Sequence, residues 1–258
     1  MSTNIAWTDE TWNPTHGCSR VSAGCDNCYA ETLSYKRYGW TEKPWTPENA
    51  STNVTLKPER LEPGGSGHPA NYDEPKRIFV NSMSDIFHTE IPDDFIQDIF
   101  AVMRNYPEHI FQILTKRPGR AAHMDIDWPP NVWMGTSVED KRVIERLDLL
   151  RGCDADLLFI SFEPLIGAVV DENTELDLSG YDWAIVGGES GPGYREMSHE
   201  WVWPIQTACE EEDIAFFFKQ SSAFQNEKDP YLRCPDGVRR EIKEMPTPNE
   251  TVIRARQQ

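Results

Sequence analysis

Three cysteines near the start of the chain have the spacing best suited to chemistry, in the run Cys18-Ser-Arg-Val-Ser-Ala-Gly-Cys25-Asp-Asn-Cys28. Two residues separate Cys25 from Cys28, so a tight turn lets both thiolates face one centre. The Ser/Gly-containing loop from Cys18 can fold back at little closure cost to add a third. Three thiolates leave a tetrahedral shell one ligand short. That is the donor set of an iron–sulfur cluster with one open iron, or of a metal ion completed by a fourth residue. His16, two residues before Cys18, would complete a zinc shell of three cysteines and one histidine. Cys153, Cys209 and Cys234 are scattered without ligand spacing, and Cys209 reads as a small buried hydrophobe.

The elements that must position these thiols alternate along the chain. Asp9–Pro14 is the candidate first strand, with a helix over Cys25–Tyr38 after it. Strands are expected at 78–82, 109–114, 131–135, 157–162, 183–186 and 214–218. Helices are expected at 93–105, capped by Asp93 or Asp94, from about Pro118, at 139–150 and at 198–212. Strands alternating with helices at this spacing predict a parallel sheet of βαβ units, an α/β partial (β/α)6-7 barrel resembling a TIM barrel. Residues 39–77 are rich in Pro, Gly and Asn and read as an irregular insertion or lid. The expected domain spans 1–220, and 221–258 reads as an irregular C-terminal extension.

Polar residues collect just past the expected strand ends. After the cysteines come Ser82, Ser84 and Asp85, then Thr115, Lys116 and Arg117, then Thr136, Ser137 and Glu139. Glu163, Glu189 with Ser190, and Lys219 with Gln220 complete the series. In a parallel barrel these ends share one mouth, which is where such folds place their chemistry. Glu163 and Glu189 would line that mouth, with carboxyl groups pushed upward by burial unless Lys116, Arg117 or Lys219 pairs with them. The glycine run Val186-Gly187-Gly188-Glu189-Ser190-Gly191-Pro192-Gly193 has neither the Lys-Ser/Thr of a P-loop nor dinucleotide-binding spacing. It reads as a ligand-approaching loop or a plain tight turn. His68, His88, His109 and His123 lack ligand spacing, and Trp40 and Trp45 are candidates for stacking a base, capping the mouth or packing in the core.

A three-cysteine motif after the first strand of a parallel barrel resembles the radical S-adenosylmethionine (radical SAM) superfamily. The phrase from Trp7-Thr-Asp-Glu-Thr-Trp12 through His16-Gly-Cys18 to Gly24-Cys25-Asp-Asn-Cys28-Tyr-Ala-Glu31 more closely resembles a phage- and prokaryote-associated family of radical-SAM-like proteins. The resemblance implies a [4Fe–4S] cluster on Cys18, Cys25 and Cys28 with SAM on the fourth iron, and reductive cleavage of SAM to a 5′-deoxyadenosyl radical. It implies SAM contacts from Ser82, Ser84, Asp85, Lys116, Arg117, Ser137, Glu139, Gly187 and Gly188, with Glu163, Glu189 and Lys219 as candidate catalytic residues. It also implies an electron donor such as a flavodoxin or ferredoxin, and the phage association points to a nucleotide or nucleic-acid substrate. Two departures stand out: six residues separate the first two cysteines where the superfamily has three, and Asn27 replaces an aromatic before the last cysteine. The reading from a different class is a zinc-stabilised barrel that binds a nucleotide or partner protein without redox chemistry.

Composition bounds these readings. The 258 residues allow a sizeable core, and nine Trp and eleven Phe argue against disorder. Six cysteines are too few for a secreted disulfide scaffold. No apolar run would span a bilayer, and the first residues lack a signal-peptide pattern, so the expectation is a cytoplasmic protein with no membrane partner. Forty-three acidic against 25 basic residues give a net charge of −18, which disfavours unassisted binding to duplex phosphates. A salt-rich host cytoplasm would also account for that acidity.

Overall fold

The computed structural model describes Thr3, residues 5–226 and residues 228–256. Its centre is a parallel sheet of seven strands: β1 Glu10–Trp12, β2 Arg77–Val80, β3 Ile110–Thr115, β4 Val132–Ser137, β5 Leu157–Phe162, β6 Trp183–Gly187 and β7 Ala215–Gln220. Hydrogen-bonded order follows chain order from β1 to β7, so every crossover advances by one strand. The sheet curls: Trp7, just ahead of β1, lies 6.1 Å from Trp183 on β6, ring centroid to ring centroid. β1 and β7 remain as edges. This is the expected partial α/β barrel.

Side-chain alternation divides the core in two. Phe79, Ile110, Trp133, Leu157, Phe159, Trp183, Ile185 and Phe217 point inward around Trp7 and fill the lumen with rings. Their neighbours, such as Ile78, Val80, Ile113, Met134, Ile160 and Phe162, point outward to the helices. Every residue of β4 and β5 is buried, as strands covered on both faces must be. Gly135 is glycine because an added Cβ would enter the Phe159 ring.

The helices follow their apolar spacing where no polar anchor interrupts. Asp93–Asn105 is helical throughout and buries Phe95, Ile96, Ile99, Phe100 and Met103, each worth about 1.5–3 kcal/mol of transfer free energy. Pro92, not an aspartate, holds its cap position; Asp93 and Asp94 instead complement the dipole from the first turn. The expected helix over 139–150 is a 3₁₀ turn, Lys141–Val143, followed by Arg146–Leu150. Asp140 caps the turn by accepting from the Arg142 N–H, and Arg146 folds inward to the mouth. Cys25–Tyr38 is likewise a 3₁₀ turn at Ala23–Cys25, a helical turn at Tyr29–Glu31 and a π-helical turn at Thr32–Arg37. The helix over 198–212 breaks into His199–Trp201 and Trp203–Glu211, with Pro204 in its first turn.

Residues 39–77 hold short pieces, of which Thr55–Leu56 pairs antiparallel with Thr15–His16. Beyond residue 220, Leu232–Arg233 and Arg239–Arg240 form a hairpin, and the helix Glu250–Ala255 places Val252 beneath the lumen beside Ile5, Trp7 and Met245. Asn249 secures this helix by donating to the Pro130 carbonyl (3.0 Å) at the N-terminal side of the sheet.

Candidate functional site: a thiol-lined cavity at the barrel mouth

At the C-terminal ends of the strands a cavity of about 150 Å³ is lined by Cys18, Cys25 and Cys28 together with Asn81, Ser82, Ser84, Asp85, Lys116, Arg117 and Ser137. The loops after β1, β2, β3 and β4 converge here, as the polar strand ends predict. All three thiols are partly buried and free of disulfides. Burial pushes Cys18 up to about 12, even with the Arg117 guanidinium donating to its Sγ at 3.5 Å. Trp45, Ala30 and Met83 pack against Cys18 and Cys28, so Trp45 is core beneath the loop.

Charged residues fix the loops. Asp85 accepts from the Phe87 N–H (3.0 Å), the Thr115 hydroxyl (2.7 Å), the Lys116 N–H (3.1 Å) and the Arg117 guanidinium (3.0 Å), which occupies its acceptor capacity. Arg117 also donates to the Ser19 carbonyl at 2.9 Å. Glu139 is fully buried and accepts from Ser22 Oγ (2.8 Å) and Arg146 Nη1 (3.0 Å), with Lys116 Nζ 3.6 Å away. Its side chain lies where a Cβ on Gly24 would go, so glycine is required there. Ser84 contacts both Thr15 and Asn81, and the Ser82 carbonyl accepts from Tyr29 (2.6 Å).

The cysteine loop meets the far side of the mouth through Glu189. Burial would raise this carboxyl, but hydrogen bonds from Arg195 and Asn27 outweigh burial and hold it below the usual range. Asn27 donates to Glu189 at 2.9 Å, and Arg195 donates to Glu189 at 2.5 Å and to the Ala23 carbonyl at 2.9 Å. Glu163 pairs with the buried Lys219 at 2.6 Å. The cation anticipated for Glu163 is Lys219, whereas Glu189 takes Arg195 in place of the three cations named for it, and Glu139 takes Arg146. Gly187 and Gly188 are not part of the cavity lining: a Cβ on Gly188 would collide with Ser222, and one on Gly187 would press on Glu163.

Among the described residues, no three His, Cys, Asp or Glu side chains converge on one point as ligands of a single metal ion would. Zinc needs each thiolate about 2.3 Å from one centre, whereas a cluster bonds each thiolate to a different iron and its ligands surround a volume. The three thiols share the wall of one cavity. His16 does not line that cavity; its Nε2 accepts from Arg60 (3.1 Å) and its ring stacks on Trp40. Asn81 Oδ1 is buried without a partner among the described residues, on a side chain that lines the cavity, so an acceptor is available there for a ligand donor.

A family model described as "Protein of unknown function (DUF5131)" matches residues 2–254. The chain belongs to this family. No curated protein matches it. Among solved structures it is similar to "Spore photoproduct lyase complexed with dinucleoside spore photoproduct" at 12% identity and a TM-score of 0.44, over 95% of this chain and 72% of that one. No helix among the described residues of this DUF5131 chain is long and apolar enough to cross a membrane.

Arg195, Arg146, Asn81 and Ser22 escaped the sequence reading. Asn81 lay within the strand expected at 78–82, Ser22 looked like an ordinary loop residue, and Arg146 lay within an expected helix. Arg195 had one available signal, its place just beyond the glycine-rich run that ends in Gly193.

Proposed function

We propose that this protein is a radical SAM-type enzyme, with Cys18, Cys25 and Cys28 holding a [4Fe–4S] cluster. The observation that carries the reading is the convergence of three free thiols on one cavity at the mouth of a parallel barrel. When bound, the cluster would supply an electron that cleaves SAM, giving a 5′-deoxyadenosyl radical to take hydrogen from the substrate. The chain's own residues serve that chemistry by position. Asn81 Oδ1 accepts from the SAM amino group, a task that Asp85, committed to Arg117, is poorly placed to share. Lys116 offers a cation to the SAM carboxylate, Ser82, Ser84 and Ser137 complete the polar wall, and Glu139 holds the cysteine loop. Lys219 and Glu163, paired at 2.6 Å at the ends of β7 and β5, are the candidate polar pair for the substrate. Trp45 and Met83 pack against Cys18 and Cys28 and give those two sulfurs an apolar backing. A flavodoxin or ferredoxin is the natural class of electron donor, and a nucleotide or nucleic acid the substrate class.

Anaerobically purified protein is expected to be brown, with absorption near roughly 400 nm and about four irons and four sulfides per chain. Dithionite with SAM is expected to release 5′-deoxyadenosine, and Cys25→Ala to lose iron while retaining the fold. Colourless protein carrying stoichiometric zinc would sink the reading.

A further inference from the structure

A column of aromatic rings built from His16, Trp40 and Tyr38 has no role in the chemistry above. His16 stacks on Trp40 with centroids 5.6 Å and planes 26° apart, and Trp40 stacks on Tyr38 at 4.7 Å and 21°. The Arg37 guanidinium extends the column, 5.2 Å from the Tyr38 centroid. Core packing does not account for it, because Trp40 is 53% exposed and Tyr38 50%.

The column is held in place before any ligand arrives. His16 Nε2 accepts from Arg60 at 3.1 Å, which fixes the ring. The Trp40 and Thr41 N–H groups both donate to the Ser34 carbonyl (2.7 and 3.2 Å), and the Tyr38 N–H donates to Leu33 (2.9 Å). Preorganised rings lose little conformational freedom on binding. The charge is also of the right sign: on a chain of net −18, the turn from Lys36 to Lys43 carries Lys36, Arg37 and Lys43 against Glu42 alone.

Half-exposed stacked rings edged by cations, in a molecule whose acidity repels duplex phosphates, match the chemistry of an unpaired strand. We infer that the column is a stacking platform for the bases of a single-stranded nucleic acid. Arg37 yields its place over Tyr38 to a base and engages the adjoining phosphate. The inference names a substrate class for the proposed activity and rests on that reading only for its purpose, since the binding itself needs no cluster.

The full chain, as isolated and after iron loading, is titrated at low salt into fluorescein-labelled oligothymidylate and oligouridylate of about fifteen nucleotides, with anisotropy as the readout. An abasic oligomer of equal length is the control. Saturable binding of either base-bearing strand is expected, with the abasic chain about tenfold weaker or worse. Trp40→Ala is expected to weaken binding about tenfold or more, while Trp40→Phe stays within about threefold. Tyr38→Ala provides a second reading, and unchanged melting shows that neither variant has unfolded. No saturable binding below about 1 mM, equal binding of the abasic strand, or wild-type binding by both alanine variants would overturn the inference. Trp40-dependent binding by protein that holds no iron would leave the platform standing and remove the radical chemistry. Iron and 5′-deoxyadenosine without strand binding would do the reverse.

Discussion

Arg117 joins three partners through one guanidinium: the Cys18 thiol, the Asp85 carboxylate and the Ser19 carbonyl. A fixed cation that donates to a sulfur ligand favours the more negative, reduced form of a cluster. On the proposed cluster reading, Arg117→Gln is expected to lower the midpoint potential, and Arg117→Lys to lower it less, as read by an EPR-monitored redox titration. An unchanged potential would reduce Arg117 to scaffolding. At this scale the sequence was legible where chemistry is written in spacing, as with Cys18, Cys25 and Cys28. It was not legible where a residue's task depends on which neighbour reaches it first. Asp85 and Arg117 read as ligands for SAM, yet they are each other's partners, because β2 and β3 end side by side.

The cysteine loop is an element held by two clamps. On one side Ser22 and Gly24 meet Glu139; on the other Ala23, Asp26 and Asn27 meet Arg195 and Glu189. Gly24→Ala would drive a methyl into a Glu139 side chain that Arg146 prevents from yielding. On the proposed reading iron affinity is expected to fall about 10- to 100-fold, the usual cost of disturbing an outer shell, and the overpacking to cost about 1–3 kcal/mol in denaturant unfolding. Arg195→Ala leaves the buried Glu189 carboxylate short of its main partner and is expected to cost about 2 kcal/mol in denaturant unfolding, along with weaker iron retention. Strands were legible from their apolar runs, and Asp93–Asn105 from its strict spacing. The helix expected over 139–150 failed because Asp140 and Arg146 bond to the loop and the mouth, a preference that apolar periodicity does not record.

Across the whole molecule, buried histidines make folding sensitive to acid. Burial, with Arg117 next in effect, pushes His88 from 6.5 down to about 4; its Nε2 shares a hydrogen bond with Ser19 Oγ (2.8 Å) and its Nδ1 accepts from the Glu90 N–H. The folded state resists protonation that the unfolded chain accepts. Its contribution is therefore complete above about pH 6.5 and is lost as pH falls toward 4, by on the order of 2 to 3 kcal/mol. Urea unfolding from pH 7 to 4 should show this decline, and His88→Gln should flatten it. An unaltered slope would assign the loss to other groups, including Glu189, whose depressed carboxyl adds a loss below its ordinary range.

The helix Glu250–Ala255 sets Val252 beneath a lumen already filled by Trp7, Trp133, Trp183 and Phe217. That end of the barrel is stoppered, so on the proposed reading the cysteines are approached from the opposite face, and spent product would compete there with fresh substrate for entry.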